Sequence, residues 1–135
     1  MLTQADVRVY WDSIEPGLRE IKNQAKPEWR PEDIYSVLLN GIAELYIDIE
    51  QSPCESFIIM QERPNAFQPC KSLLIWVAYD KRGKAADQYM DYIEQMAREK
   101  GCSKIEFWTP WLSLAESLTM KGYKITNYIT EKEII

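Results

Sequence analysis

The densest set of anion-binding side chains in the chain is the run Lys81-Arg82-Gly83-Lys84, which separates an apolar stretch from a long amphipathic one. If a strand precedes the run and a helix follows it, the helix presents unpaired backbone N–H groups at the positive end of its dipole. That is an anion site. A glycine lets the anion approach the backbone, and the basic side chains add charge. The plain alternative is a strand–helix loop with a solvated basic tip. The chain contains no His, which removes His-based triads, His general bases and most zinc sites. Cys54, Cys70 and Cys102 lie far apart with no CxxC spacing, so no metal site is expected and a reducing, cytoplasmic compartment is the simpler reading.

Bulk composition narrows the classes. With 135 residues the chain supports one domain, residues 1–135, with a real core. Hydrophobic residues make up 46% and charged residues 27%, as in an ordinary globular protein. The net charge of −5 argues against nucleic-acid binding, which needs a basic surface. No apolar run reaches the length of a membrane span, and Met1 to Arg8 carries no signal-peptide core, so no membrane partner is expected. Five Trp and eight Tyr suit a small core, a pocket or an interface.

The positioning elements read as follows. Asp6 to Trp11 alternates as a short strand, with Val7 and Val9 against Arg8 and Tyr10. Asp12 or Ser13 offers an N-cap, and Ile14, Leu18 and Ile21 recur at helical spacing up to Pro27. A second helix starts at Pro31, with Glu32 and Asp33 in its first turn and Gly41 at its end. Ala43 to Glu50 alternates as a strand, and Glu44, Tyr46, Asp48 and Glu50 read as its solvated face. Ser56 to Gln61 is a further strand, and Arg63 to Pro69 a loop. Ser72 to Tyr79 is apolar enough for a strand buried on both faces. A helix from Ala85 to Lys100 carries Ala86, Tyr89, Ile93, Met96 and Ala97 on one face, and Gly101 caps it. Lys104 to Thr109 is a strand, parallel to the Ser72 strand if the connection is a crossover. Trp111 to Lys121 is a short helix and Tyr123 to Ile135 a closing strand.

This element order, with Val77-Ala-Tyr-Asp-Lys-Arg-Gly-Lys-Ala-Ala-Asp87 opening the central helix, resembles the GNAT superfamily of acyl-CoA N-acyltransferases. Ala97 to Thr109 looks like the end of the family's central helix and its fifth strand. Ala115 to Lys124 looks like its last helix and the Gly-aromatic pair that follows. The resemblance implies an α/β (α+β) domain with a mixed central sheet, β-α-α-β-β-β-α-β-α-β, and a V-shaped splay between the Ser72 and Lys104 strands. It implies acetyl-CoA as cofactor, held by Val77, Ala78 and Tyr79 on the strand and by Arg82, Gly83, Lys84, Ala85 and Ala86 at the loop.

The family's loop pattern, Gln/Arg-x-x-Gly-x-Gly/Ala, is met incompletely in three registers. Arg82 leads in one, with Ala85 and Asp87 in the small-residue places. Another uses Lys81, Lys84 and Ala86, and the third Asp80, Gly83 and Ala85. Asp87 would set a carboxylate beside a pyrophosphate. The family's thiolate-protonating Tyr falls on Leu118, beside Thr119. Tyr123 and Tyr128 are the nearby phenols, and Glu106, Glu44, Asp48 and Glu50 are candidates for a general base by location.

The stretch Leu73 to Phe107, with the short helix and Gly-Tyr after it, is also similar in style to small GNAT-like proteins of tailed bacteriophages, some of them virion-morphogenesis or internal virion proteins. Two functions follow from these resemblances. One is acetyl transfer to an amine by direct attack. The other is a non-catalytic assembly or interaction role with a phage or host protein, in the host cytoplasm or the virion. A homodimer is a further expectation. An ACT-like or ferredoxin-like regulatory domain fits the helix and strand count less well.

Overall fold

The computed structural model describes residues 2–53, 55–82, 85–109 and 111–134, with residues 85–87 described through their backbone alone. The elements are β1 (Leu2–Ala5), α1 (Val7–Ala25), α2 (Pro31–Leu39), β2 (Glu44–Asp48), β3 (Ser56–Pro64), β4 (Lys71–Asp80), α3 (Ala85–Glu99), β5 (Lys104–Phe107) and α4 (Leu112–Thr119). They build one five-stranded sheet in the order β1-β2-β3-β4-β5, antiparallel up to β4 and parallel between β4 and β5. The parallel step is made by α3 as a crossover helix.

Helices on both faces give two cores. On one face α1 and α2 pack Val7, Ile14, Leu18 and Ile34 onto Leu45, Ile47, Phe57, Ile59, Val77 and Tyr79. On the other, α3 packs Tyr89, Ile93 and Ala97 onto Tyr46, Ile58, Met60, Leu73 and Ile75. Strands β2, β3 and β4 are therefore covered on both sides, which explains their near-continuous apolar runs.

Three expectations are corrected. Asp6 to Trp11 is not a strand: Asp6 is the N-cap of α1, its carboxylate accepting from the Arg8 backbone N–H at 2.9 Å. The apparent Val7/Val9 alternation has no face to serve, since Val7 is buried and Val9 is 70% exposed. The N-cap is therefore neither Asp12 nor Ser13, and Pro16 lies inside α1. The face of β2 read as solvated is covered by α3, so that Tyr46 and Asp48 are buried. The closing strand expected after Tyr123 is not formed among the described residues 123–134.

Candidate functional site

Two irregularities of β4 create the site. First, Ile59 pairs with Val77 while the next residue, Met60, pairs with Ile75, so Trp76 is an extra residue in β4. This bulge reverses the alternation. Leu73 and Ile75 face α3, whereas Trp76, Val77 and Tyr79 all pack toward α1 and α2. Second, β5 follows β4 from the Ser72–Lys104 pair to the Ile75–Phe107 pair and no further. Among the described residues, β4 then continues from Trp76 to Asp80 with its β5-side edge unmatched in the sheet. This is the splay the resemblance implied, and it opens where the bulge lies.

The side chains of Val77 and Tyr79 point away from the splay, into the α1 core, and Ala78 packs toward α3. Their available groups along the splay are backbone ones. Tyr79 is fixed from below. Its ring stacks on Phe57 with centroids 5.2 Å apart, and its hydroxyl donates to Glu20 Oε2 at 2.6 Å. Burial, reinforced by the Glu20 carboxylate, pushes its pKa up to about 12. Gly17 makes this approach possible, because a Cβ there would lie 2.8 Å from the Phe57 ring and 3.0 Å from that of Tyr79.

At the end of β4 the polar groups are already engaged. The Asp80 side chain is only 1% exposed and accepts from the Arg82 backbone N–H at 2.9 Å and from Arg82 Nε at 3.3 Å. The other end of the guanidinium donates to Gln88 Oε1 on α3 at 2.6 Å. Arg82 is thus folded onto the first turns of the crossover and remains exposed. Gly83 and Lys84, and the side chains of Ala85, Ala86 and Asp87, lie outside the described residues.

Beneath this loop runs a buried polar chain that links three elements. Ser56 Oγ donates to the Tyr89 hydroxyl at 3.3 Å, and that hydroxyl donates to Asp48 Oδ2 at 3.0 Å. The Asp48 carboxylate also accepts from the Glu50 backbone N–H at 3.0 Å. Burial works against its charge, but the hydrogen bonds prevail and hold its pKa below the ordinary carboxylate range. Burial, with the Asp48 charge beside it, raises that of Tyr89.

The remaining sequence candidates disperse. Leu118 is buried, and the Thr119 hydroxyl donates to the Glu116 carbonyl at 2.6 Å. Tyr123 reaches the β5 wall of the splay: its ring meets Phe107 edge-on at 5.5 Å and its hydroxyl donates to Met90 Sδ at 3.1 Å. Burial, with Glu94 nearby, pushes its pKa up to about 12. Tyr128 is 86% exposed. Glu106 pairs with Arg63 at 3.5 Å, and that guanidinium lies over the Trp108 ring at 4.5 Å. Glu44 accepts from Tyr46 at 2.7 Å and from Lys100 at 3.2 Å, at the opposite end of β2 from Asp48. Glu50 lies in the turn after β2 and is exposed. The structure therefore brings together β4, Arg82 and Tyr123 around the splay, and sets Glu106 on the opposite side of β5 from Tyr123's α3 contact.

Sequence reasoning missed the Ser56–Tyr89–Asp48 chain and the Glu20–Tyr79 pair. One signal was present: Tyr89 sits on the apolar face of α3, where a phenol must find a buried partner.

No protein-family profile matches the chain, and no curated protein matches it in sequence. Solved structures do match in fold. A protein described as a "probable acetyltransferase" superposes with a TM-score of 0.74 at 16% identity, covering 99% of both chains. The ribosomal-protein-alanine N-acetyltransferase of Brucella melitensis biovar Abortus 2308 gives 0.71 at 16% identity, over 100% of this chain and 99% of that one. A transcriptional regulator of Bacillus halodurans C-125 gives 0.71 at 14% identity, over 99% of both. Together with the mixed sheet, the two-faced helical cover and the splay beside a bulged β4, these matches give the chain the fold of the GNAT acetyltransferases.

Proposed function

We propose that the protein binds an acyl-CoA along β4 and passes the acyl group to an amine by direct attack. The observation that carries this reading is the β4 edge from Trp76 to Asp80, which β5 leaves unmatched. Its backbone N–H and C=O groups suit the linear amide-bearing pantetheine arm, which would add to the sheet as a strand does. The exposed Arg82 at the end of that edge suits the phosphates. In the transfer the amine nitrogen bonds to the thioester carbonyl carbon. The C–S bond then breaks, and the ammonium proton leaves to solvent while the thiolate departs. Holding both reactants in the splay supplies much of the rate, so the step does not depend on an activated protein nucleophile.

Titration calorimetry with acetyl-CoA, followed by an amine-panel transfer assay, tests this. Micromolar-range binding and an N-acetylated product support it. The absence of a binding heat at millimolar acetyl-CoA sinks it.

A second reading is supported by a different observation. The buried Asp80 carboxylate already holds Arg82, so the loop's anion capacity is partly spent within the protein. Loss of cofactor binding would leave a GNAT-fold protein acting through its surfaces, as an assembly or interaction partner in a phage or its host. No shift in melting temperature with acyl-CoA, together with retention of a phage or host protein on purification, favours this second reading.

A further inference from the structure

The sheet has two edges, β1 and β5, and the β5 edge is bare although the chain carries a segment fitted to cover it. The end of α4 is fixed: Lys121 and Tyr123 N–H groups donate to the Leu118 carbonyl, and Gly122 supplies the left-handed turn at φ 91°. Tyr123 then anchors the chain on Phe107, the last residue of β5. Beyond it, Lys124-Ile-Thr-Asn-Tyr-Ile-Thr-Glu-Lys-Glu-Ile134 is rich in β-branched and aromatic residues. Yet within the described residues it forms no strand and no backbone hydrogen bond outside one. Tyr128, Ile129 and Ile134 stand in solvent, with Ile129 92% exposed.

An open strand edge and an exposed, strand-prone segment are both unstable features in isolation. Here each chain holds one of each, the two halves of a self-complementary contact. We propose that two copies of this chain exchange these segments, residues 124–134 of each adding as an antiparallel strand to the β5 edge of the other. The choice of a second copy over the chain's own edge rests on the anchor. In the single chain the segment begins at the ring of Phe107, at the end of β5, and still leaves that edge unpaired. Charge agrees with the direction. A strand entering at Phe107 and running antiparallel to β5 carries its acidic end, Glu131 and Glu133, toward the exposed Lys104.

The test uses the full chain. Sedimentation equilibrium should show a concentration-dependent dimer, and hydrogen exchange should show protection of residues 124–131 and 104–107 rising together with the dimer fraction. Ile129→Pro, which removes a ladder donor, should weaken dimerisation by at least about tenfold while the far-ultraviolet circular dichroism of the monomer is kept. A monomer at all concentrations overturns the proposal. So does protection of 124–131 already complete in the monomer, which means pairing within one chain, and so does a dimer whose protection falls on β1. If Ile129→Pro fails to fold, the exchange pattern of the unmodified chain decides alone.

Discussion

The Tyr79 hydroxyl donates to the Glu20 carboxylate at 2.6 Å, tying the second-last residue of β4 to the third-last turn of α1. This bond aims the Tyr79 side chain down into the core and leaves the β4 backbone to face the splay. It depends on Gly17, one turn earlier on α1, whose missing Cβ makes room for the stacked Phe57 and Tyr79 rings.

Gly17→Ala is therefore expected to destabilise the fold although alanine is the better helix former. The helix gains up to about 1 kcal/mol. Against this, a methyl 2.8 Å from a buried ring overpacks the core, at a cost of about 1–3 kcal/mol. Neither ring is a free end that can swing aside, since Phe57 is fully buried and Tyr79 is held by Glu20. The net is a loss on the order of 1 kcal/mol, readable by urea denaturation. An unchanged or raised midpoint would show that α1 slides to accommodate the methyl.

The Tyr89–Asp48 bond gives a pH-dependent prediction. Asp48 is 4% exposed and its pKa is held below the ordinary value, so its contribution is fully present above about pH 4 and is lost as pH falls through its folded value. Tyr89→Phe removes one donor to that charge, and a hydrogen bond to a charged group contributes about 1.5–3 kcal/mol. The variant should lose about that much at neutral pH, and the gap to the unmodified protein should narrow as Asp48 protonates. Paired denaturation curves between neutral pH and pH 3 check it. A gap independent of pH would assign the loss to packing instead of charge.

How much of this was legible depends on what the residues report. Runs such as Leu73 to Tyr79 announce a doubly covered strand because nearly every residue is apolar, and Pro31 with Glu32 and Asp33 announces a helix start. Period-two spacing at Val7 and Val9 misled because two valines cannot separate a strand from a helix whose next buried positions, Ile14 and Leu18, lie a full heptad onward. Asp48 was read as solvated because charge predicts exposure until a donor such as Tyr89 is brought over it from 41 residues away. The bulge at Trp76 left no sequence signature at all: it is a property of the β3–β4 register, and an apolar residue suits either face. The loop's cations were legible, whereas Arg82's capture by Asp80 and Gln88 was not, since both partners are ordinary polar neighbours in the sequence.

That capture predicts opposite effects of two substitutions on acyl-CoA binding. Asp80→Asn removes the carboxylate that holds the Arg82 backbone and side chain, and frees the guanidinium for phosphate. Binding should tighten by about three- to tenfold, with the gain fading at high salt. Arg82→Ala should weaken binding by a similar factor. Calorimetric titration with coenzyme A at two salt concentrations measures both. If neither variant moves the affinity, the phosphates do not meet this loop.

Tyr123 offers the last prediction, because it is the one phenol that the fold brings to the β5 wall of the splay. Its pKa is pushed up to about 12 by burial and Glu94, while an ordinary thiol titrates near about 8.5. Handing its proton to a departing thiolate is then uphill by about 3.5 units, or about 5 kcal/mol. Its hydroxyl also donates to Met90 Sδ, away from any thiolate, so the expected role is to seat Phe107 and the end of α4. Tyr123→Phe should keep both ring contacts and leave the turnover within about threefold, with an unaltered pH–rate profile. Tyr123→Ala should lower the melting temperature by removing the edge-on partner of Phe107. A fall of about a hundredfold in Tyr123→Phe, with loss of the alkaline limb, would instead make this phenol the acid of the reaction.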